Sequence, residues 1–240
     1  ASAGSTPRPI PSLRDAERAV AYDVVVPVHN GLPFLPDLLA SIASQTAPAA
    51  SVHFVNDAST DGSGAWLDEH VPAVLGARGV IHHLTENLGV AGARNVGWRA
   101  GTSPWVAFLD QDDRWLPLKM EHQLVHLMAR QNTHWGKVHC RPVLDEGFHW
   151  PSNWESSMTE PHKCDVPSGW VISRAALHLL GGFNDGYRYG DDTELAGRLR
   201  DLFGIESVLD EVLVERRFGP HNNSHKKEEM TAELMQILRG

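Results

Sequence analysis

Several short runs in this chain set chemically able side chains at tight spacing. Asp110-Gln111-Asp112-Asp113 places three carboxylates within four residues. Carboxylates are hard oxygen ligands suited to magnesium or manganese. A tight turn can aim Asp110 and Asp112 at one point, and a cation held there would attract a diphosphate. The same letters would also serve a solvated turn that caps the next helix. Gly190-Asp191-Asp192-Thr193-Glu194 is a second acidic run. Acids at a helix start complement its dipole; as chemistry, one of them would be a general base. Asp57 follows Phe54-Val55 and can accept N–H groups of uracil, thymine or guanine, or simply cap a turn with Ser59, Thr60, Asp61 and Gly62. In Asn87-Leu88-Gly89-Val90-Ala91-Gly92-Ala93-Arg94 the small residues allow close backbone approach to a ligand. Arg94 can face a diphosphate or orient an aspartate. His221 or His225 could complete a metal shell, whereas His122 and His126 read as an exposed helix face.

Such residues need elements to hold them. Asp23 to Val28 is an almost wholly apolar β-branched run, the pattern of a strand buried on both faces of a parallel sheet. Leu35, Leu38, Leu39 and Ile42 recur at helical spacing. Strands are expected at 52–55, 80–84 and 105–109, with helices at 91–100 and 117–130, Pro117 lying in the first turn of the latter. This alternation predicts an α/β fold, a mainly parallel sheet with helices on both faces. Ligands bind such sheets beyond the carboxyl ends of the strands. Three strands there deliver Pro27-Val28-His29-Asn30, Asn56-Asp57 and Asp110-Gln111-Asp112-Asp113 to one rim. The second half is less regular. Strand fragments are expected at 137–143, strands at 169–173, 205–208 and 212–216, and helices at 174–180 and 192–203. An amphipathic helix at 226–238 carries Met230, Leu234, Ile237 and Leu238 on one face.

Composition bounds the reading. The 240 residues include 30 acidic and 21 basic ones, a formal charge of −9. That balance excludes a nucleic-acid binder, which must neutralise phosphates. No apolar run reaches the length of a membrane span. Residues 1–20 read as a flexible lead-in and not as a signal peptide. Cys140 and Cys164 lack CxxC spacing and read as two free thiols. Trp135, Trp150, Trp154 and Trp170 concentrate in the irregular half, mostly as core, with Trp170 a candidate for stacking on an acceptor.

Taken together, the ordered motifs resemble glycosyltransferase family two, with the GT-A fold. They are Val26-Pro27-Val28-His29-Asn30; Asn56 to Ser63; Asn87-Leu88-Gly89 with Ala93-Arg94-Asn95-Val96-Gly97; Leu109 to Asp113; Gly181-Gly182-Phe183-Asn184; and Asp191-Asp192-Thr193-Glu194-Leu195 with Arg198. The resemblance spans Tyr22 to His225. It implies a catalytic domain at 21–225, split into a nucleotide-sugar half at 21–115 and an acceptor half at 116–225, then a C-terminal helix at 226–240. It implies an inverting transferase using a nucleoside-diphosphate sugar, a UDP-sugar favoured, and Mn2+ or Mg2+. Pro27, His29 and Asn30 would border the nucleobase and Asp57 would bind it, with Asn87, Gly89, Arg94 and Gln111 lining the donor. Asp110 would bind ribose or the sugar. Asp112 would bind the metal, with Asp113 nearby and His221, or else His225, completing it. Asp192 resembles the base, with Asp191 as fallback and acceptor-side neighbour. His29 stands where an aromatic is frequent, Asn56 where Asp is frequent, and Asp191 where Glu is usual.

The acceptor stays open among a saccharide, a lipid-linked saccharide, a protein and a small molecule. So do a homodimer and peripheral contact with a membrane; the expected setting is cytoplasmic, with the inner membrane face as alternative. Two rivals remain. A sugar nucleotidyltransferase should carry a Gly- and Lys/Arg-rich loop after its first strand, which Pro27 to Gly31 is not. A non-catalytic nucleotide-sugar or carbohydrate-binding module should have lost some of Asp57, Asp110, Asp112 and Asp192.

Overall fold

The computed structural model describes residues 20–149 and 159–220, with Glu233, Met235 and Ile237. Strand β1 (Tyr22–Val28) is buried along its whole length. It pairs in parallel with β2 (Ser51–Asn56) and β4 (Trp105–Phe108), and β2 pairs in parallel with β3 (Gly79–His83). Helices α1 (Leu35–Ala43), α2 (Ser63–Leu75) and α3 (Gly89–Ala100) connect them. Alternate β1 side chains feed two cores. Val24, Val26 and Val28 pack with α1 and α2; Val25 packs toward Trp98 of α3.

Beyond β4 the sheet becomes mixed. The strand order is β3-β2-β1-β4-β8-β6-β9-β5, with β7 against β6. Here β5 is Arg114–Trp115, β6 Trp135–Leu144, β7 His162–Lys163, β8 Trp170–Ser173 and β9 Ser207–Phe218. Helices α4 (Lys119–Met128), α5 (Arg174–Leu180) and α6 (Asp191–Phe203) complete the described chain. Strand β8 runs antiparallel to β4, β6 antiparallel to β8, and β9 parallel to β6. So the start of β8 and the end of β9 return to the rim where β4 ends. This geometry lets the irregular half complete a site begun by the parallel one.

Several expectations are corrected. Helix α2 went unread. The fragments at 137–143 form one ten-residue strand. The two strands at 205–208 and 212–216 are the single strand β9, with register shifts opposite β6 where Asp210 and Glu211 interrupt the apolar pattern. Pro117 precedes α4 instead of opening it. His122 and His126 are half-buried, bonded to Glu211 (2.7 Å) and Ser207 (3.0 Å) of the β9 strand. Cys140 and Cys164 are both free and buried. Trp150, Trp154, His221, His225 and most of 226–240 lie outside the described residues; Glu233, Met235 and Ile237 are helical. Among the described residues, no helix is long and apolar enough to cross a membrane.

Gly97 sets how closely α3 lies on the sheet. A Cβ there would stand 2.4 Å from Val25 Cγ1 and 3.2 Å from Val55 Cγ2. Gly97→Val therefore must push α3 away, at roughly 1–3 kcal/mol for an overpacked core. The expected result is a Tm lowered by about 3–10 °C; an unchanged Tm would contradict this packing.

Candidate functional site

The rim at the carboxyl ends of β1, β2 and β4 is tightly wired. Asp57 is buried at 3% exposure, and its Oδ1 accepts the Leu88 N–H at 2.7 Å. The Asp57 carbonyl accepts from His29 Nδ1 at 2.7 Å, so that nitrogen carries the proton. Asn87 Nδ2 reaches the same carbonyl at 3.3 Å, and Asn87 Oδ1 accepts the Gly89 N–H at 3.1 Å. Gln111 closes the β1 loop onto the acidic turn. Its Oε1 accepts the His29 N–H at 2.8 Å, and its Nε2 donates to the His29 carbonyl at 3.1 Å. Asn30 adopts φ of 51°, a left-handed conformation that Asn tolerates. Its Oδ1 accepts the Thr60 N–H at 2.8 Å. Pro27 lies inside buried β1, one strand turn below His29.

The acidic turn is built by two further residues that the sequence did not single out. Ser168, in the 3-10 turn just before β8, has its Oγ accept the Asp110 N–H (3.1 Å) and donate to Asp113 Oδ2 (2.6 Å). Arg217, near the end of β9, donates its backbone N–H to Asp113 Oδ1 at 3.0 Å. Asp113 is thus consumed as a structural brace. Asp110 Oδ1 is taken by Arg94, and Asp112 lies half-buried at the rim. Burial pushes Asp112 up to about 6, with the Asp110 charge adding to it and Arg216 and Arg217 opposing. Burial drives Asp113 well above the usual carboxylate range, again with neighbouring aspartate charges adding.

Arg94 joins the two halves. Helix α3 aims it across the rim, where it is 4% exposed. Its Nη2 donates to Asp110 Oδ1 at 2.5 Å and its Nη1 to Asp191 Oδ2 at 2.8 Å. Its guanidinium also lies 5.2 Å from the centre of the Phe183 ring. Burial disfavours the charge, but Asp110 and Asp191 more than offset that and raise its pKa. Asn95 secures the loop beneath. Its Oδ1 accepts the Phe183 N–H at 3.0 Å, and its Nδ2 donates to the Phe183 carbonyl at 2.8 Å.

Asp191 and Asp192 open α6 on the far side of Arg94. Burial pushes Asp191 up to about 6, against the pull of Arg94. Burial also raises Asp192, again opposed by Arg94. The two differ in access. Asp191 is 3% exposed and held by Arg94. Asp192 is half-buried, and its Oδ1 takes the Thr193 N–H and hydroxyl. Trp170 departs from expectation. It is fully buried, its Nε1 donates to the Cys164 carbonyl at 3.2 Å, and its ring stands edge-on to Trp135, so it belongs to the core and not to an acceptor surface.

Among the described residues no group of three or more His, Cys, Asp or Glu is placed to hold a metal ion. Asp110 and Asp112 still suit a hard divalent cation. Magnesium is commonly held by one or two carboxylates, the rest of its shell being water and substrate phosphate. Burial is the main cause of the raised Asp112 pKa, and a cation there would offset the Asp110 charge that adds to it.

Comparison with known proteins identifies the family and the fold. The family model described as glycosyl transferase family 2 matches residues 23–178. TuaG of Bacillus subtilis, named as a teichuronic acid biosynthesis glycosyltransferase, is 35% identical over 107 residues, 45% of this chain and 42% of that protein. An uncharacterized glycosyltransferase of Rickettsia conorii is 29% identical over 201 residues, 80% of this chain and 32% of that one. The chain thus spans under half the length of either relative. Among solved structures, S. aureus TarS 1–349 in complex with UDP-GlcNAc superposes with a TM-score of 0.71 at 19% identity, over 90% of this chain and 65% of that one. The mannosyltransferase PcManGT of Pyrobaculum calidifontis, in complex with GDP-Man and Mn2+, gives 0.67 at 19% identity, over 90% and 62%. At these identities the structures establish a shared GT-A fold.

Proposed function

This chain belongs to glycosyl transferase family 2, and on that premise we propose that it moves a sugar from a nucleoside-diphosphate sugar to a hydroxyl acceptor with inversion. One observation carries the reading. Arg94 ties Asp110 on the donor rim to Asp191 on the opposite side, so one buried cation links the donor acids to the neighbour of the candidate base Asp192. A pure binding module has no need to fix a second acid pair there.

The residues then divide the work. Asp57 receives the nucleobase. With Oδ1 engaged by the Leu88 N–H, its other oxygen suits the single ring N–H of uracil or thymine better than the paired donors of guanine, which fits the expected UDP-sugar or a dTDP-sugar. Asp110 meets the ribose or sugar. Asp112, with His221 or His225, would hold Mn2+ or Mg2+, whose charge stabilises a departing diphosphate. Asp192 takes the acceptor hydroxyl proton as that oxygen bonds to the anomeric carbon. The bond from that carbon to the diphosphate breaks on the opposite face, which inverts the configuration. Asp191, clamped by Arg94, orients the pair.

Two expected results follow. The base must be ionised, and burial holds Asp192 above the ordinary carboxylate range. Activity is therefore lost as pH falls through that raised value. The acid limb of kcat/KM should stand above the ordinary carboxylate range of about pH 4; a limb at or below that range would contradict the assignment. Thermal unfolding with UDP, GDP and dTDP, each with and without Mn2+, tests donor binding. Ligand at about 100 times its Kd adds about 2.7 kcal/mol, or about 5–10 °C for a chain of this size. A manganese-dependent shift with UDP is expected, and Asp112→Ala should erase the manganese-dependent part. No shift with any nucleotide, in folded protein, would overturn the reading.

A further inference from the structure

We propose that Glu233 is a positioning residue that fixes the turn delivering Asp191 and Asp192. The proposal rests on the transferase reading above. Glu233 Oε1 accepts the Arg188 N–H at 3.0 Å, and its Oε2 accepts those of Tyr189 at 2.7 Å and Gly190 at 3.1 Å. Three successive backbone N–H groups thus converge on one carboxylate, the arrangement of an anion-binding nest. Hydrogen bonds to an ionised acceptor are roughly twice as strong as neutral ones.

Gly190 is the N-cap of α6, and no side chain caps that end from its own sequence. The Asp192 carboxylate is turned to its own neighbour Thr193. The capping group arrives instead from more than forty residues along the chain. A second contact covers the same spot. A Cβ on Gly190 would stand 2.7 Å from Ile237 Cδ1. Glu233 and Ile237 are four residues apart and helical, so they share one face. That face seats a carboxylate and an apolar side chain together on the backbone of residues 188–190.

The consequence is specific to the acid pair. The donor groups Asp57 and Asp112 follow β2 and β4, and the Glu233 contact does not reach them. Asp191 begins where the clamped turn ends. Freeing three N–H groups there lets the first turn of α6 shift, and a displacement near 1 Å can cost about 100-fold in rate.

The test uses the whole chain with Glu233→Ala and Glu233→Gln. Readouts are kcat, donor KM, UDP affinity with Mn2+, and amide hydrogen exchange at Arg188, Tyr189 and Gly190. Glu233→Ala is expected to lower kcat about 10- to 100-fold, leave UDP affinity unchanged and speed exchange at those three amides. Glu233→Gln keeps one carbonyl oxygen for the Tyr189 and Gly190 N–H groups and should retain an intermediate kcat. Wild-type kcat in Glu233→Ala, an equal loss of UDP affinity, or unchanged exchange would overturn the proposal. If the unaltered protein transfers no sugar, the transferase reading itself fails. Exchange then judges the clamp alone: protection lost in Glu233→Ala upholds it, and unprotected amides in the unaltered chain refute it.

Discussion

Asp192→Asn is expected to lower sugar transfer by about 10²–10⁴-fold, the usual worth of a general base, while donor affinity stays unchanged. The substitution keeps the shape and keeps an oxygen for the Thr193 N–H and hydroxyl, which Asp192 Oδ1 now accepts. It removes only the ability to take a proton from an acceptor hydroxyl. Asp57 and Asp112 lie on other elements, so the donor should bind as before. Asp191→Asn is the informative partner. Asp191 is nearly inaccessible and engaged by Arg94, so its loss should act through the orientation of α6. If Asp191→Asn abolishes transfer and Asp192→Asn is nearly normal, the two roles are exchanged. Full activity in both would remove this acid pair from the reaction.

Arg94→Leu carries the second large effect, on stability and activity together. It leaves Asp191 buried without its partner and strips Asp110 of its closest cation. Breaking a buried ion pair from one side costs about 3–5 kcal/mol. The sign with pH follows from Asp191. Its pKa of about 6 already lies above the unfolded value, and losing Arg94 moves it further up. At neutral pH the variant must ionise an unpaired buried carboxylate or bind a proton. Near pH 5 the carboxyl is protonated and the penalty shrinks. The variant should therefore lose more Tm at pH 7.5 than at pH 5. Equal losses at both would show that Arg94 acts by packing on Phe183 instead of by charge. Transfer should fall at every pH, because the donor acids and the base pair lose their common anchor.

What could be read from the sequence follows physical lines. The parallel half was legible because a strand buried on both faces must be a continuous apolar run, as at Asp23 to Val28. The polar groups ending those strands then mark the rim. Helix α2 was missed because Pro72 interrupts its later half and Gly62 starts it in a left-handed conformation. The long strands β6 and β9 were broken up because Pro142 and the bulged Asp210-Glu211 pair disturb the alternation that marks a strand. The site shows the same division. Asp57, Asp110, Asp112 and Asp192 announce themselves by type and by position after strands or before a helix. The braces do not. Ser168 meets Asp110 across 58 residues and Arg94 meets Asp191 across 97. No local pattern encodes such pairs; only the antiparallel return of β8 and the placement of α6 bring them together. Trp170 shows the converse. Its ring suits sugar stacking by chemistry, yet the strand β8 that carries it is buried on both faces.

The measurement that bears most directly on the account is turnover of a nucleoside-diphosphate sugar by this chain with Mn2+, following the released nucleoside diphosphate and the anomeric configuration of the sugar product. The account predicts release of the diphosphate with inversion, dependent on the metal and abolished by Asp192→Asn at unchanged donor affinity. Tight donor binding with no release, product of retained configuration, or pyrophosphate formed from a nucleoside triphosphate and a sugar phosphate would contradict it.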